Sequence, residues 1–253
     1  MNLVETPNFA RLLSLERLEL EGCSSLVEVD ESIGHLEKLV FLNLVNCNNL
    51  RDLPNSICNL RSLETMNFRG CLKVCSLPEH LGNLEALRKL VISGSAIKEL
   101  PTSIGLLKNL GHLSIAELKE ALPIPSKSWF SFFSSWVSDS PKRATSSSLV
   151  LPSTFIHLTS LRKLNLCDRN FLDNEISIDF RNFKFLSSLN LGGNNFCNLP
   201  AGISNHPKLV NLKLNDCKNL QSLEELPPNL WMLEAKQCTS IERHPSLADI
   251  VIV

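Results

Sequence analysis

The stretch Leu39-Val40-Phe41-Leu42-Asn43-Leu44-Val45-Asn46-Cys47-Asn48-Asn49-Leu50-Arg51-Asp52-Leu53-Pro54-Asn55-Ser56-Ile57-Cys58-Asn59-Leu60 carries two patterns in succession. Its first half, Leu39-x-x-Leu42-x-Leu44-x-x-Cys47, alternates apolar and polar residues with the period of a short strand that has one buried face. Its second half, Leu50-x-x-Leu53-Pro54-x-x-Ile57-x-x-Leu60, spaces its apolar residues as a helical turn or an irregular return does. The same phrase recurs along the chain, with first leucines at Leu15, Leu39, Leu63, Leu87, Leu110, Leu161, Leu186, Leu209 and Leu230. The steps between them are 24, 24, 24, 23, 51, 25, 23 and 21 residues, so all but the 51-residue step fall near one unit. The return half repeats as well, at Val74-x-x-Leu77-Pro78-x-x-Leu81 and Leu100-Pro101-x-x-Ile104-x-x-Leu107.

A fixed period in this range decides the architecture. One unit cannot bury its own leucines, whereas stacked units bury a continuous core between a strand side and a return side. The expected fold is an α/β repeat: a leucine-rich-repeat solenoid, or horseshoe, with a concave parallel sheet and an irregular or short-helical convex side. About nine repeats form one domain over residues 1–253, and nine strands at ~4.8 Å give an array about 40 Å long. The amino-terminal Pro7-x-Phe9-x-x-Leu12 resembles the second half of a preceding unit, and the apolar Ile250-Val251-Ile252-Val253 closes the sequence. The expectation is therefore an array that continues past both ends.

Composition narrows the function. With 25 basic and 26 acidic residues, no global field draws the protein to nucleic acid or to an acidic membrane. No stretch reaches the length of an apolar membrane span, and Met1-Asn2-Leu3-Val4-Glu5 is not a signal sequence. Nine cysteines and no glycosylation sequon fit a reducing compartment, so a cytoplasmic location is expected. No phosphate-binding glycine loop, zinc-protease helix or nucleophile elbow is present, so neither catalysis nor a cofactor is expected of this chain.

Five cysteines, Cys23, Cys47, Cys71, Cys217 and Cys238, share one repeat position with Asn194. This column is expected to turn inward after each strand and to bond backbone groups between repeats; its spacing suits no metal site. His35 and His157 occupy matching positions expected to be surface loop.

The positions two, four and six places after each first leucine face away from the core. They supply the candidate protein-binding residues: Arg17, Glu19, Phe41, Asn43, Val45, Asn67, Arg69, Lys89, His112, Lys163, Asn190, Lys213 and Met232, with Trp231 beside the last. Phe41 and Val45, rimmed by Arg17, Glu19, Asn67 and Arg69, have the composition of an interface centre, although an isolated exposed hydrophobe accounts for Phe41 equally well. Trp231 and Met232 form a second apolar spot, suited to contact with a following domain.

The long step holds a Ser- and aromatic-rich insertion at 117–148, in the fifth repeat. Trp129, Phe132, Phe133, Trp136 and Val137 lie on one face of a short helix, which either packs on the solenoid's flank or meets a partner or membrane interface.

With the repeats aligned, the phrases Leu18-Glu19-Leu20-Glu21-Gly22-Cys23-Ser24-Ser25-Leu26, Asn46-Cys47-Asn48-Asn49-Leu50-Arg51-Asp52-Leu53-Pro54 and Gly94-Ser95-Ala96-Ile97-Lys98-Glu99-Leu100-Pro101 resemble the leucine-rich repeats of plant intracellular immune receptors with TIR and nucleotide-binding domains. The closing Leu226-Pro227-Pro228-Asn229-Leu230-Trp231-Met232-Leu233-Glu234-Ala235 resembles the end of the repeats in that family. The resemblance implies recognition of a pathogen effector or a guarded host protein, with intramolecular contact that restrains the nucleotide-binding domain. Full members bind ADP or ATP through a domain that has no counterpart here, so neither nucleotide binding nor NAD cleavage carries over to any residue of this sequence. The alternative from another class is an adaptor or scaffold that selects a protein substrate.

Overall fold

The computed structural model describes residues 3–117, 149–173, 175–223 and 225–241. The aromatic insertion from 118 onward and the terminal Ile250–Val253 run lie outside the described residues.

Nine three-residue strands form one sheet in sequence order: β1 (Arg17–Glu19), β2 (Phe41–Asn43), β3 (Thr65–Asn67), β4 (Lys89–Val91), β5 (His112–Ser114), β6 (Lys163–Asn165), β7 (Ser188–Asn190), β8 (Asn211–Lys213) and β9 (Met232–Glu234). Every pairing is parallel and joins equivalent positions, as in Arg17 with Phe41 and Lys89 with His112. The long step does not interrupt this ladder. His112 pairs with Lys163, and the amide of Ile115 donates to the Asn165 carbonyl at 2.9 Å. The central residues Leu42, Met66, Leu90, Leu113, Leu189 and Leu212 are completely buried, so the flanking residues of each strand line the opposite, concave face.

The convex side carries 3-10 turns at Glu31–His35, Asn55–Asn59, Leu81–Asn83, Thr102–Leu106, Ser153–His157 and Phe180–Asn182. Pro54, Pro101 and Pro152 precede three of them with φ between −62° and −68°, the value that the proline ring imposes. Each turn tucks one large apolar residue inward, such as Ile57, Ile104 or Phe155, and closes when the amide of the next leucine, or of Phe183 in the last turn, bonds back to it. Successive turns stack closely: a side chain added at Gly34 would meet Ser56 Cβ at 2.6 Å. These returns are wider than the strands they follow, which bends the array into an open curve. His35 and His157 are exposed at the ends of their turns. Upstream of β1, Phe9 is buried and its amide donates to Ser32 Oγ at 2.7 Å, while Val27 bonds the Val4 carbonyl. This segment packs as the return half of a further unit.

The cysteine–asparagine column joins each repeat to the one before it. Cys47, Cys71, Cys217 and Cys238 donate through Sγ to the carbonyls of Leu20, Leu44, Leu191 and Leu214, at 3.2, 3.1, 3.3 and 3.0 Å. Asn194 does more. Its Nδ2 donates to Leu166 and Leu191, at 3.0 and 2.7 Å, and its Oδ1 accepts from the amides of Arg169 and Phe171. Cys23, the first member, is buried at the same level.

Two occupants of this column depart from the pattern. Ser95 donates to its own turn, at Ile92. Arg169, also buried, places Nε on the Ile115 carbonyl, the counterpart of Leu20 and Leu44, and extends a second nitrogen to the Ile97 carbonyl two repeats back. Burial pulls the proton affinity of this guanidinium down, and the Glu117 carboxylate opposes that. His206 is a further polar group in the core, at the position of Leu36 and Leu60. Its Nε2 meets the Phe183 carbonyl at 3.1 Å and its Nδ1 accepts from the Lys208 amide, so both ring nitrogens are satisfied.

All nine thiols are free. Burial pushes Cys217 up to about 12 and Cys58 up to about 11. Among the described residues no three His, Cys, Asp or Glu side chains gather as a metal site would require, and no helix is long and apolar enough to cross a membrane.

Two predictions follow from the column. Asn194→Ala should cost about 2–4 kcal/mol in urea unfolding, from several backbone partners at about 1 kcal/mol each, and Asn194→Cys should cost about half as much because a thiol retains the inter-repeat bond. Equal losses, or losses under about 0.5 kcal/mol, would remove that role. In native protein near pH 8 an alkylating reagent should modify the exposed Cys75 and spare Cys58 and Cys217. An unfolded thiol ionises near pH 8.5, so the buried thiols contribute stability that is full below that pH and declines as pH rises through about 11 and 12. Rapid native labelling of Cys217 would contradict this.

Candidate protein-binding surface

The concave face divides into three regions, each set by which strands lie side by side. On β1–β3, Arg17 forms an ion pair with Glu19 at 2.7 Å and lays its guanidinium over the Phe41 ring, 4.0 Å from the centroid. Phe41 is therefore half-covered, and what it presents is a cation–aromatic stack. The two residues are one 24-residue repeat apart, which makes them neighbours, but the stacking of one over the other is seen only in the structure. Val45 is half-buried and Arg69 is exposed beyond β3.

The asparagines of this face, the candidates Asn43, Asn67 and Asn190 together with Asn165, have another occupation. Asn43, Asn67, Asn165 and Asn190 accept through Oδ1 from the amide two residues later, at 3.2, 3.2, 3.2 and 3.0 Å. Each thereby closes the turn in which its strand ends. Asn43 is buried and its Nδ2 donates to Glu21, so both ends of its amide are engaged within the face itself. Asn67 and Asn190 are half-buried.

The centre of the face is basic. Lys89, His112 and Lys163 are direct neighbours in register on β4, β5 and β6, and both lysines are exposed. Partial burial lowers the proton affinity of His112, and the charges of Lys89 and Lys163 lower it further. Arg88 and Arg162 precede the two lysines; Arg88 lies 3.6 Å from Glu64, and Arg162 lies over Phe185 at 5.7 Å. Beside them, farther along the strands, the face is small and polar, with Ser93 and Ser114 hydrogen-bonded at 2.8 Å and Asn165 donating to Ser114 at 3.1 Å. Reading each strand by itself missed this cluster; the signal was available in the position one place after each first leucine, where Arg88 and Arg162 stand.

On β8 and β9, Lys213 bonds Glu234 at 2.7 Å, and with Asn215 it holds that carboxyl below the usual range. Trp231 is 80% exposed whereas Met232 is half-buried, so the apolar spot expected there is almost entirely Trp231. Phe185, 44% exposed and 4.5 Å from Lys208 Nζ, is a second exposed aromatic that the sequence reading passed over. A groove of about 1160 Å³ on the flank is lined by His35, Lys38, Arg61 and Glu85, all exposed, an open setting for solvated charges.

Comparison with known proteins bears on what such a face serves. Residues 59–252 match the family model described as Disease resistance protein RPS4B-like, leucine-rich repeats. TMV resistance protein N of Nicotiana glutinosa is 30% identical over 90% of this chain and 24% of its own length, and Disease resistance-like protein DSC1 of Arabidopsis thaliana is 31% identical over 96% and 23%. The chain thus spans about a quarter of the length of these curated relatives. Among solved structures, a Leptospira interrogans LRR protein superposes with a TM-score of 0.60 at 21% identity, over 97% of this chain and 60% of that one. The plant peptide hormone receptor RGFR1, in complex with RGF2, gives 0.56 at 22% identity, over 92% and 36%. These two likenesses are of fold. The fold is a leucine-rich-repeat solenoid, and the chain belongs to the leucine-rich-repeat family of RPS4B-like plant disease resistance proteins.

Proposed function

We propose that this chain is the sensor region of an intracellular plant immune receptor, which recognises a pathogen effector or a guarded host protein through its concave face. The observation that carries the reading is the unbroken in-register ladder β1–β9, which turns one residue from each repeat into a continuous exposed surface, in a chain from a disease-resistance family. Support for protein ligands comes from neighbours in fold: RGFR1 is in complex with RGF2, and HAESA with the peptide hormone IDA and the co-receptor SERK1. The exposed side chains of the sheet are charged or polar around isolated aromatics, the make-up of a non-obligate interface. The chain acts by binding and not by catalysis, in the cytoplasm. In the complete receptor its repeats also contact the nucleotide-binding domain, which holds ADP or ATP, and restrain its switch until the ligand arrives.

The test is affinity capture from infected and uninfected leaf extract, using the wild-type chain, the concave variant Arg17→Glu/Arg69→Glu, and Lys98→Glu, an exposed substitution away from the sheet. A specific partner should be retained by wild type and by Lys98→Glu, and reduced at least ~10-fold by the concave pair. In the complete receptor, removal of these repeats should release cell death without an effector. Capture that survives the concave pair, or a receptor that stays silent without the repeats, would contradict the proposal.

A further inference from the structure

We propose that the centre of the concave face, Lys89, His112 and Lys163 with Arg88 and Arg162 beside them, is a docking site for an acidic, extended segment of a protein partner. The inference rests on the protein-binding reading and adds the chemistry of what is bound.

Three observations carry it. The first is the register: Lys89, His112 and Lys163 stand directly opposite one another on adjacent strands. The two lysine charges are thus held two strands apart with a neutral imidazole between them, and the described residues supply no matching carboxylate for either. Among the described residues no carboxylate is ion-paired with Lys89 or Lys163; Glu64 lies near Arg88 only. The contrast with the rest of the face is sharp, since Arg17 is matched by Glu19 and Lys213 by Glu234. The second is spacing. Adjacent strands lie ~4.8 Å apart, so the two lysines sit about 10 Å apart across His112, close to the rise of three residues of a polyproline-II-type extended chain at ~3.1 Å each, whose three-residue period also keeps positions i and i+3 on one face. A segment crossing the strands with carboxylates three residues apart would meet both lysines, with His112 between them. The third is shape. Ser93, just past β4, and Ser114, at the end of β5, lie on the same face and keep the surface beside the cations low, and Phe185, held near Arg162 and Lys208, adds an exposed ring that suits an apolar residue beside the acidic ones.

His112 gives the site a direction in pH. The charged groups that face it are Lys89 from β4 and Lys163 from β6, and together with burial they keep it neutral at pH values where a free imidazole is already charging. A bound carboxylate favours the imidazolium, so binding takes up a proton and tightens as pH falls. In the unliganded chain the sign is opposite: the depressed histidine contributes stability above the free imidazole pKa, and that contribution is lost as pH falls through its own.

The experiment uses the whole chain and a fluorescein-labelled Glu/Gly peptide with glutamate at every third position. The comparison probes are the same peptide with glutamine, a single-stranded oligothymidylate of equal charge, and phosphatidylserine–phosphatidylcholine vesicles. Anisotropy and co-sedimentation at low salt should show the glutamate peptide bound in preference to all three. Lys89→Glu/Lys163→Glu should weaken it at least ~10-fold, and Lys89→Gln/Lys163→Gln, which spares the sheet a new charge, about 3-fold or more. Wild-type affinity should rise severalfold from about pH 7.5 to about pH 5.5, and His112→Gln should flatten that rise. Unchanged binding in both lysine double variants overturns the proposal, and so does equal or tighter binding of the oligothymidylate or the vesicles. The parent reading is separated by partner capture. If Arg17→Glu/Arg69→Glu abolishes capture and the lysine variants do not affect it, only the acidic chemistry is wrong; if neither set affects capture, the concave reading falls with it.

Discussion

The structure depends on the sideways hydrogen bonding of each repeat to the next. A three-residue strand has no stability by itself, and its amides and carbonyls point along the array, where the only partner is the equivalent strand of a neighbouring unit. The column beyond the strands repeats the arrangement with side chains, since a thiol or an amide in one repeat bonds the carbonyl that ends the strand of the repeat before. Both sets of bonds require equivalent residues to lie opposite one another. Register is therefore inherited from unit to unit, and the core leucines, the 3-10 turns and the concave columns all follow from it.

Arg169 shows how firmly this constraint acts. It occupies a position held by Cys, Ser or Asn in seven of the other repeats, in the first repeat after the 51-residue step. A guanidinium is costly to bury, yet this one keeps the bond that the column needs, to Ile115, and reaches Ile97 as well. The same ladder makes the concave face a functional unit. His112 and Lys163 are 51 residues apart in the chain and one strand apart on the sheet, so the basic centre exists only because β5 pairs with β6.

Much of this was legible in the sequence. The first leucines, the Leu18-x-Leu20 alternation and the Leu53-Pro54-x-x-Ile57 returns locate the strands and turns, because burial of one face imposes its period directly on the residues. The cysteine column was equally readable, as a single residue type recurring at one position. Less legible were features that depend on which groups meet across strands or within a turn. Asn43 and Asn190 look like contact residues by composition, and only the backbone shows their carbonyl oxygens committed to the turn. The Arg17–Phe41 stack joins neighbouring repeats, and His206 looks like a surface histidine until its place in the leucine column is counted. The basic centre was visible in part: Lys89, His112 and Lys163 were each on the candidate face, but their adjacency needed the strand register.

Native-state hydrogen exchange followed by mass spectrometry tests that register most directly. The amides of Leu44, Phe68, Ile92, Ile115, Leu166, Leu191 and Leu214 each donate to the next strand. They should therefore be protected as one series, with Ile115 protected like Leu44 and Leu166 on either side of the long step. Fast exchange at Ile115, or two blocks of amides opening independently on either side of it, would mean that β5 and β6 are not joined, and the continuous concave face would not exist.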